Sequence, residues 1–67
     1  MTVLEPRLTR LDERVLGLVP SRPPGARARR IAARLREYPR DVRLVLRGFE
    51  HLGRVENRHG WWRRTTA

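Results

Sequence analysis

The sequence predicts a mainly α-helical domain that ends in a small β-hairpin. Three stretches place apolar residues at helical spacing, and after Gly53 the alternation changes to a period close to two, which is typical of strands. The chain has 67 residues and no cysteine, so we expect one domain with an apolar core and no thiolate metal site. The predicted helices cover about residues 10–19, 26–36 and 39–52, and the hairpin covers about residues 54–65, with its turn over residues 57–60.

The first helix is predicted to begin at Thr9. Residues 1–8 form its lead-in, which the Glu5-Pro6 step biases toward an extended backbone. The Thr9 hydroxyl could cap the helix, and Asp12 follows three residues later, as in a capping box. Residues 20–25 are rich in proline and form a stiff connector that could add a short extended pairing to a sheet.

The second helix carries a short apolar stripe and many arginines. The stripe is formed by Ala28, Ile31, Ala32 and Leu35. Arg27, Arg29 and Arg30 are predicted in the first turn, where cations oppose the helix dipole, whereas a bound phosphate would make them favourable. A phosphate contact and a solvated face are equally good interpretations of these three. For Arg34 and Arg36 a solvated face is preferred.

The third helix, within residues 38–53, has two contrasting faces. Pro39 suits its first turn and Gly53 suits the left-handed position just past its end. One face is apolar and is formed by Val42, Val45, Leu46, Phe49 and Leu52. The opposite face holds Arg40, Arg43, Leu44, Arg47 and His51. The first face is therefore predicted to pack in the core, and the second is too cationic for a core.

The charge of the chain indicates a polyanionic partner. The net charge is +9 on 7.9 kDa, which favours nucleic acid over an acidic membrane or protein. All sixteen basic residues are arginine, a side chain suited to bidentate contacts with guanine edges and phosphates. A GC-rich genome would explain the same bias equally well, so the net charge is the firmer observation.

Three motifs carry a family resemblance: RIAARL at residues 30–35, VRLVLRGFEHLGRV at residues 42–55 and GWWR at residues 60–63. Their order and spacing resemble the winged helix-turn-helix domains of bacterial regulators such as the multiple-antibiotic-resistance and arsenic repressors. The resemblance spans about residues 8–65 and implies a three-helix core with a C-terminal wing. Departures are Glu37 at the helix-turn-helix corner, Gly48 within the third helix and Arg54 in a strand. At the corner, either Tyr38 packs in place of an apolar residue or the second helix runs longer.

The resemblance implies that the third helix enters the major groove and that the wing, residues 57–60, follows the adjacent groove or the backbone. It also makes Trp62 a core residue. Trp61 would then point outward, where it could stack on nucleic acid, pack on the lead-in or contact a second copy. The predicted DNA contacts are Arg40, Arg43, Leu44, Arg47, Arg27, Arg29, Arg30, Arg58, His59 and Arg63.

These observations predict a sequence-specific binder of double-stranded DNA, acting in transcription control or in recombination and excision. The alternative is an adaptor or inhibitor that binds an acidic protein surface through Leu44, Gly48 or Trp61; RNA binding is a weaker alternative. We expect no enzyme activity, no cofactor and no metal, because His51 and His59 lack partners at ligand spacing. No stretch is long enough to span a bilayer, so a cytoplasmic, nucleoid-associated protein is expected.

Overall fold

The computed structural model describes the backbone of residues 5–65 and the side chains of residues 11–65. Its elements are α1 (Glu5–Leu18), β1 (Ala26–Arg27), α2 (Ala28–Leu35), α3 (Pro39–His51), β2 (Val55–Arg58) and β3 (Trp61–Arg64). The strands form an antiparallel sheet in the order β1-β3-β2. The predicted mainly helical class with a terminal hairpin is confirmed, and three helices with a small antiparallel sheet are compatible with a winged-helix layout.

Every helix and the hairpin contribute to one apolar core. Its buried residues are Val15, Val19, Ala28, Ile31, Ala32, Val42, Leu46, Val55 and Trp62. The burial of Val42 and Leu46 confirms the apolar face predicted for α3. Leu52 is an exception, because its side chain is 70% exposed. The prediction that it packs in the core is wrong, since α3 ends at His51 and the chain turns away from the core there.

The first helix begins at Glu5, so the predicted start at Thr9 is wrong. Pro6 lies in the first turn, where a missing N–H removes no helical hydrogen bond, and Thr9 lies inside the helix rather than at its cap. The Glu5-Pro6 step, which suggested an extended lead-in, is therefore part of the helix. Residues 1–4 of that lead-in lie outside the described residues.

The second helix begins at Ala28, later than predicted, because Ala26 and Arg27 form β1 and pair with Trp62 and Trp61. Arg27 is thus the extended residue that precedes the helix, with φ −86° and ψ 146°, and is not in its first turn. The extended pairing expected of the connector, residues 20–25, is instead made by the two residues that follow it. At the start of the connector, the Pro20 carbonyl oxygen accepts a separate hydrogen bond of 2.8 Å from the Arg64 N–H.

The corner between α2 and α3 follows neither predicted alternative. The helix ends at Leu35, and Tyr38 is 71% exposed rather than packed. Arg36 adopts the left-handed conformation, with φ 57° and ψ 44°, so that its N–H reaches the Ala33 carbonyl and the next N–H reaches the Ala32 carbonyl. These two bonds are a Schellman helix end, here formed without the usual glycine.

The hairpin turn is shorter than predicted. Gly53 has φ +76° and closes α3 with a hydrogen bond from its N–H to the Glu50 carbonyl, as predicted. The strands then run to Arg58 and from Trp61, which leaves His59 and Gly60 as a two-residue turn with φ 54° and 87°. Positive φ at both positions defines a type I′ turn, whose twist matches the strands. The predicted turn over residues 57–60 is therefore corrected to residues 59–60.

Candidate nucleic-acid interface

Four arginines from different parts of the chain line one concave surface, which we call the arginine groove. The groove has a volume of about 410 Å³ and is lined by Arg27, Arg29, Arg43, Arg47, Ala28, Asn57, Gly60 and Trp62. The buried Ala28 and Trp62 form its floor. The start of α2, the middle of α3 and the hairpin therefore meet at a single cationic surface.

Helix geometry explains why α3 contributes two of these arginines. Arg43 and Arg47 are four residues apart and therefore lie one turn apart on the same side of the helix. Val42 and Leu46, each preceding one of them, are fully buried and fix the rotation of α3 about its axis. That rotation aims both guanidinium groups toward α2 and the hairpin, so the amphipathic pattern positions the site.

The charges in the groove are uncompensated. Its four arginines are exposed, its lining contains no Asp or Glu, and none of the four forms an ion pair among the described residues. The ion pairs found there, Arg14–Glu37, Arg40–Asp41 and Arg63–Glu56, lie elsewhere. Clustered like charges raise the free energy of the unbound protein, and a bound polyanion would lower it.

The start of α2 adds further donors to this surface. The helix has no acidic residue in its first turn, and Arg27 provides no side-chain cap. The first N–H groups of a helix have no partner within it, so they attract anions. The groove can therefore offer both guanidinium and backbone donors to a phosphate.

Other predicted contacts lie outside the arginine groove. Arg40 is near the Asp41 carboxylate, with its Nε 3.9 Å from Oδ1, and Arg30 lines a separate cavity beside Trp61. Arg58, His59 and Arg63 line a cavity with Trp61. Leu44 lies on another side of α3.

Leu44 belongs to an apolar surface of α3 that lies beside α1. Leu44 and Leu52 are 69% and 70% exposed, and with Gly48 they border a cavity of about 320 Å³. Val45, Phe49 and Asp12 complete its lining. Thus α3 presents arginines on its hairpin side and leucines on its α1 side.

Two arginines at the end of the sheet and in α1 have structural contacts instead. The Arg64 guanidinium donates from Nε and Nη2 to the Leu16 carbonyl oxygen near the end of α1, at 3.2 and 2.7 Å, and this oxygen also accepts from the Val19 N–H at 3.1 Å. Arg14 donates to the Leu35 carbonyl at the end of α2, at 3.2 Å. Because these guanidinium groups hydrogen-bond to helix ends, they are distinct from the four arginines of the groove.

Asn57 belongs to the groove although the sequence did not indicate it. It pairs with the buried Trp62 in the hairpin register and therefore faces α3. Its side-chain oxygen accepts a hydrogen bond of 3.1 Å from the Gly60 N–H, which leaves the amide N–H groups for a ligand. Counting strand alternation back from Trp62 across a two-residue turn would have found it.

Comparison of the chain with protein-family models, curated proteins and solved structures finds no match. Within residues 5–65, no helix has the length and apolar character needed to cross a membrane. Among the side chains of residues 11–65, no cluster of three or more His, Asp or Glu is arranged to hold a metal ion.

Proposed function

We propose that this chain is a winged helix-turn-helix protein that binds double-stranded DNA in transcription control or in recombination. The observation that carries the proposal is the arginine groove, where Arg27, Arg29, Arg43 and Arg47 converge without ion-pair partners in the described part of the chain. The helix-helix-helix-hairpin order, which is compatible with a winged-helix layout, supports the same proposal.

In this proposal α3 lies in the major groove and the hairpin lies beside it as a wing. A helix with its side chains is about 10–12 Å across and the major groove is about 12 Å wide, so the two fit. Arg43 and Arg47 are the residues proposed to read base edges. Arg27 and Arg29, at the start of α2, are proposed to contact phosphate, which carries no sequence information but fixes the register of the helix.

The test is a duplex titration over a range of salt concentrations. A site is first enriched from a random duplex library, and its affinity is compared with that of a scrambled duplex. If Arg27 and Arg29 each contact one phosphate, log K against log salt should slope at about −2. A salt-independent affinity would refute the proposal.

Single substitutions then separate the proposed roles. Arg43→Ala should weaken binding to the enriched site by about 1–3 kcal/mol and reduce discrimination against the scrambled duplex. Arg29→Ala should weaken binding to both duplexes alike and make the salt slope shallower by about one. Arg34→Ala is the matched control, because it removes the same charge from an exposed position of α2 outside the groove. Equal losses in Arg34→Ala and Arg43→Ala would argue against the groove.

A second candidate function is favoured by the apolar side of α3. Leu44 in α3 and Leu52 just past its end are two large exposed side chains, and Gly48 between them leaves space for a partner side chain. We propose as the alternative an adaptor or inhibitor that docks this side on an acidic protein surface, which the net charge of +9 would attract.

The adaptor is tested by affinity capture with and without nuclease. A partner that survives nuclease, is retained by Arg43→Ala and is lost from Leu44→Ser/Leu52→Ser would support it. A partner lost on nuclease treatment would instead be held through nucleic acid.

A further inference from the structure

The face of the sheet that points away from α3 carries an aromatic residue between two arginines. Trp62 is buried, so strand alternation places its neighbour Trp61 on the outer face. Arg27 and Arg58 are the residues opposite Trp61 on the two flanking strands. The Arg27 guanidinium carbon lies 4.5 Å from the centre of the Trp61 ring, a cation–π contact.

Beside this row is a cavity with apolar walls and a cationic rim. It has a volume of about 300 Å³ and is lined by Pro23, Pro24, Arg58, His59, Trp61 and Arg63. The Arg63 guanidinium is hydrogen-bonded to the Glu56 carboxylate, so its charge is balanced. Arg58 is exposed and forms no ion pair within the described residues. The volume is at the lower end of the range for small-molecule sites, which suits a single planar ring.

We propose that this cavity, the Trp61 cavity, binds an unpaired nucleobase of a single-stranded nucleic acid. The base would stack on Trp61 and a neighbouring phosphate would lie against Arg58. Stacking on an aromatic ring needs an exposed base face, which a base inside a duplex does not offer. The cationic rim and the net charge of +9 favour a polyanionic strand over a neutral aromatic ligand or a basic peptide.

The site adjoins the proposed duplex-binding surface at Arg27, which lines the arginine groove and contacts the Trp61 ring, but the residues that line the Trp61 cavity are not those of the groove. Hairpin alternation directs Asn57 and Trp62 toward α3 and directs Arg58 and Trp61 to the other face. One sheet could therefore contact a duplex on one face and an unpaired strand on the other, as at the end of a duplex or at a fork.

The deciding experiment compares two probes on the unaltered protein. One is an oligodeoxythymidylate of about ten nucleotides, within the usual range of single-strand sites, and the other is an abasic deoxyribose-phosphate strand of the same length. Both carry the same charge, so only the bases differ. The proposal expects the thymidylate strand to bind at least about fivefold more tightly. Equal affinities would overturn it, because they would show attraction by charge alone.

Substitutions locate the binding to the cavity. Trp61→Leu should weaken thymidylate binding by about 5- to 150-fold and leave abasic-strand binding unchanged, whereas Trp61→Phe should retain most of it. Tyr38→Leu is the matched control, since it removes an exposed aromatic ring far along the chain at the start of α3. A loss in Tyr38→Leu as large as in Trp61→Leu would overturn the assignment.

A duplex titrated in parallel keeps the two proposals separate. Base-dependent strand binding without duplex binding would uphold the Trp61 cavity and refute the proposed duplex function. Duplex binding with equal affinities for the thymidylate and abasic strands would support the proposed duplex function and refute the Trp61 cavity as a base-binding site.

Discussion

Gly25→Ala is expected to destabilise the fold severely, because this glycine lets the connector lie directly against β3. A Cβ at Gly25 would lie 2.7 Å from the Trp62 carbonyl carbon and closer still to its oxygen. Those atoms belong to the central strand, which is paired on both sides, so they cannot move away cheaply. The residue also has φ +99°, which L-amino acids rarely adopt.

The magnitude follows from these two costs. Left-handed backbone costs a non-glycine residue about 1–2 kcal/mol, and forcing atoms into a packed region costs about 1–3 kcal/mol more. A domain of this length is expected to have a stability of about 3–10 kcal/mol. Gly25→Ala should therefore remove about 2–5 kcal/mol, a large share of the total stability.

Two other glycines separate the contributions. Gly53 also has positive φ, but a Cβ there would meet nothing within 4 Å. Gly53→Ala should therefore lower the stability only by the cost of a left-handed backbone at a non-glycine residue, about 1–2 kcal/mol. Gly48 lies within α3 and equally has no atom within 4 Å, so Gly48→Ala should stabilise by about 1 kcal/mol. The same added methyl group thus changes stability in opposite directions.

The assay is urea and thermal unfolding followed by far-ultraviolet circular dichroism. Gly48→Ala should raise Tm by about 4–8 °C, the shift expected per kcal/mol for so small a domain. If Gly25→Ala and Gly53→Ala lost equal stability, the close approach of the connector to β3 would be refuted. A lower Tm for Gly48→Ala would contradict its open, helical environment.

Two further predictions concern arginines with structural roles. Arg36→Gly should stabilise the fold by about 1 kcal/mol, since glycine adopts the left-handed conformation without strain. Arg36→Ala is the control, because it removes the same charge and should not raise the stability. Equal unfolding midpoints for the two variants would contradict this prediction. Arg64→Met should lower stability by about 1.5 kcal/mol, because the hydrogen bonds to the Leu16 carbonyl are lost. The control is Arg22→Met, a substitution at an exposed position that should leave Tm unchanged.

The helix ends show which local structure a sequence can reveal. Gly53 and Arg36 both occupy the left-handed position of a Schellman end. The first was predictable because glycine favours that conformation. The second was not, since an arginine gives no such signal and adopts the conformation only because the packing of α2 and α3 requires the turn. Pro6 was ambiguous in a similar way, as proline is compatible with both an extended lead-in and a first helical turn.

The arginine groove could be predicted only in part, because the pairing register of the hairpin strands does not follow from composition. The apolar pattern of α3 correctly placed Val42 and Leu46 in the core and thereby the direction of Arg43. For the hairpin, a turn two residues shorter than predicted extends β2 to Arg58, so that Asn57 and Arg58 are strand residues that point either toward α3 or away from it. Strand alternation then puts Asn57 on that face and Arg58 on the other, and a slip of one residue would exchange them. Periodicity therefore predicted the helical half of the groove, while the hairpin half required pairing geometry.

The two candidate functions of α3 are mutually exclusive at one time. On a helical wheel Leu44 lies about 60° from Arg47 and about 100° from Arg43, so the arginine and leucine sides adjoin. A major groove about 12 Å wide encloses most of a helix about 10–12 Å across, which would cover Leu44 when Arg43 and Arg47 reach the bases. A protein partner seated on Leu44 and Leu52 would then have to leave before α3 could enter DNA. If both proposals hold, such a partner competes with DNA for α3, and its contacts with Leu44 and Leu52 would release the protein from DNA.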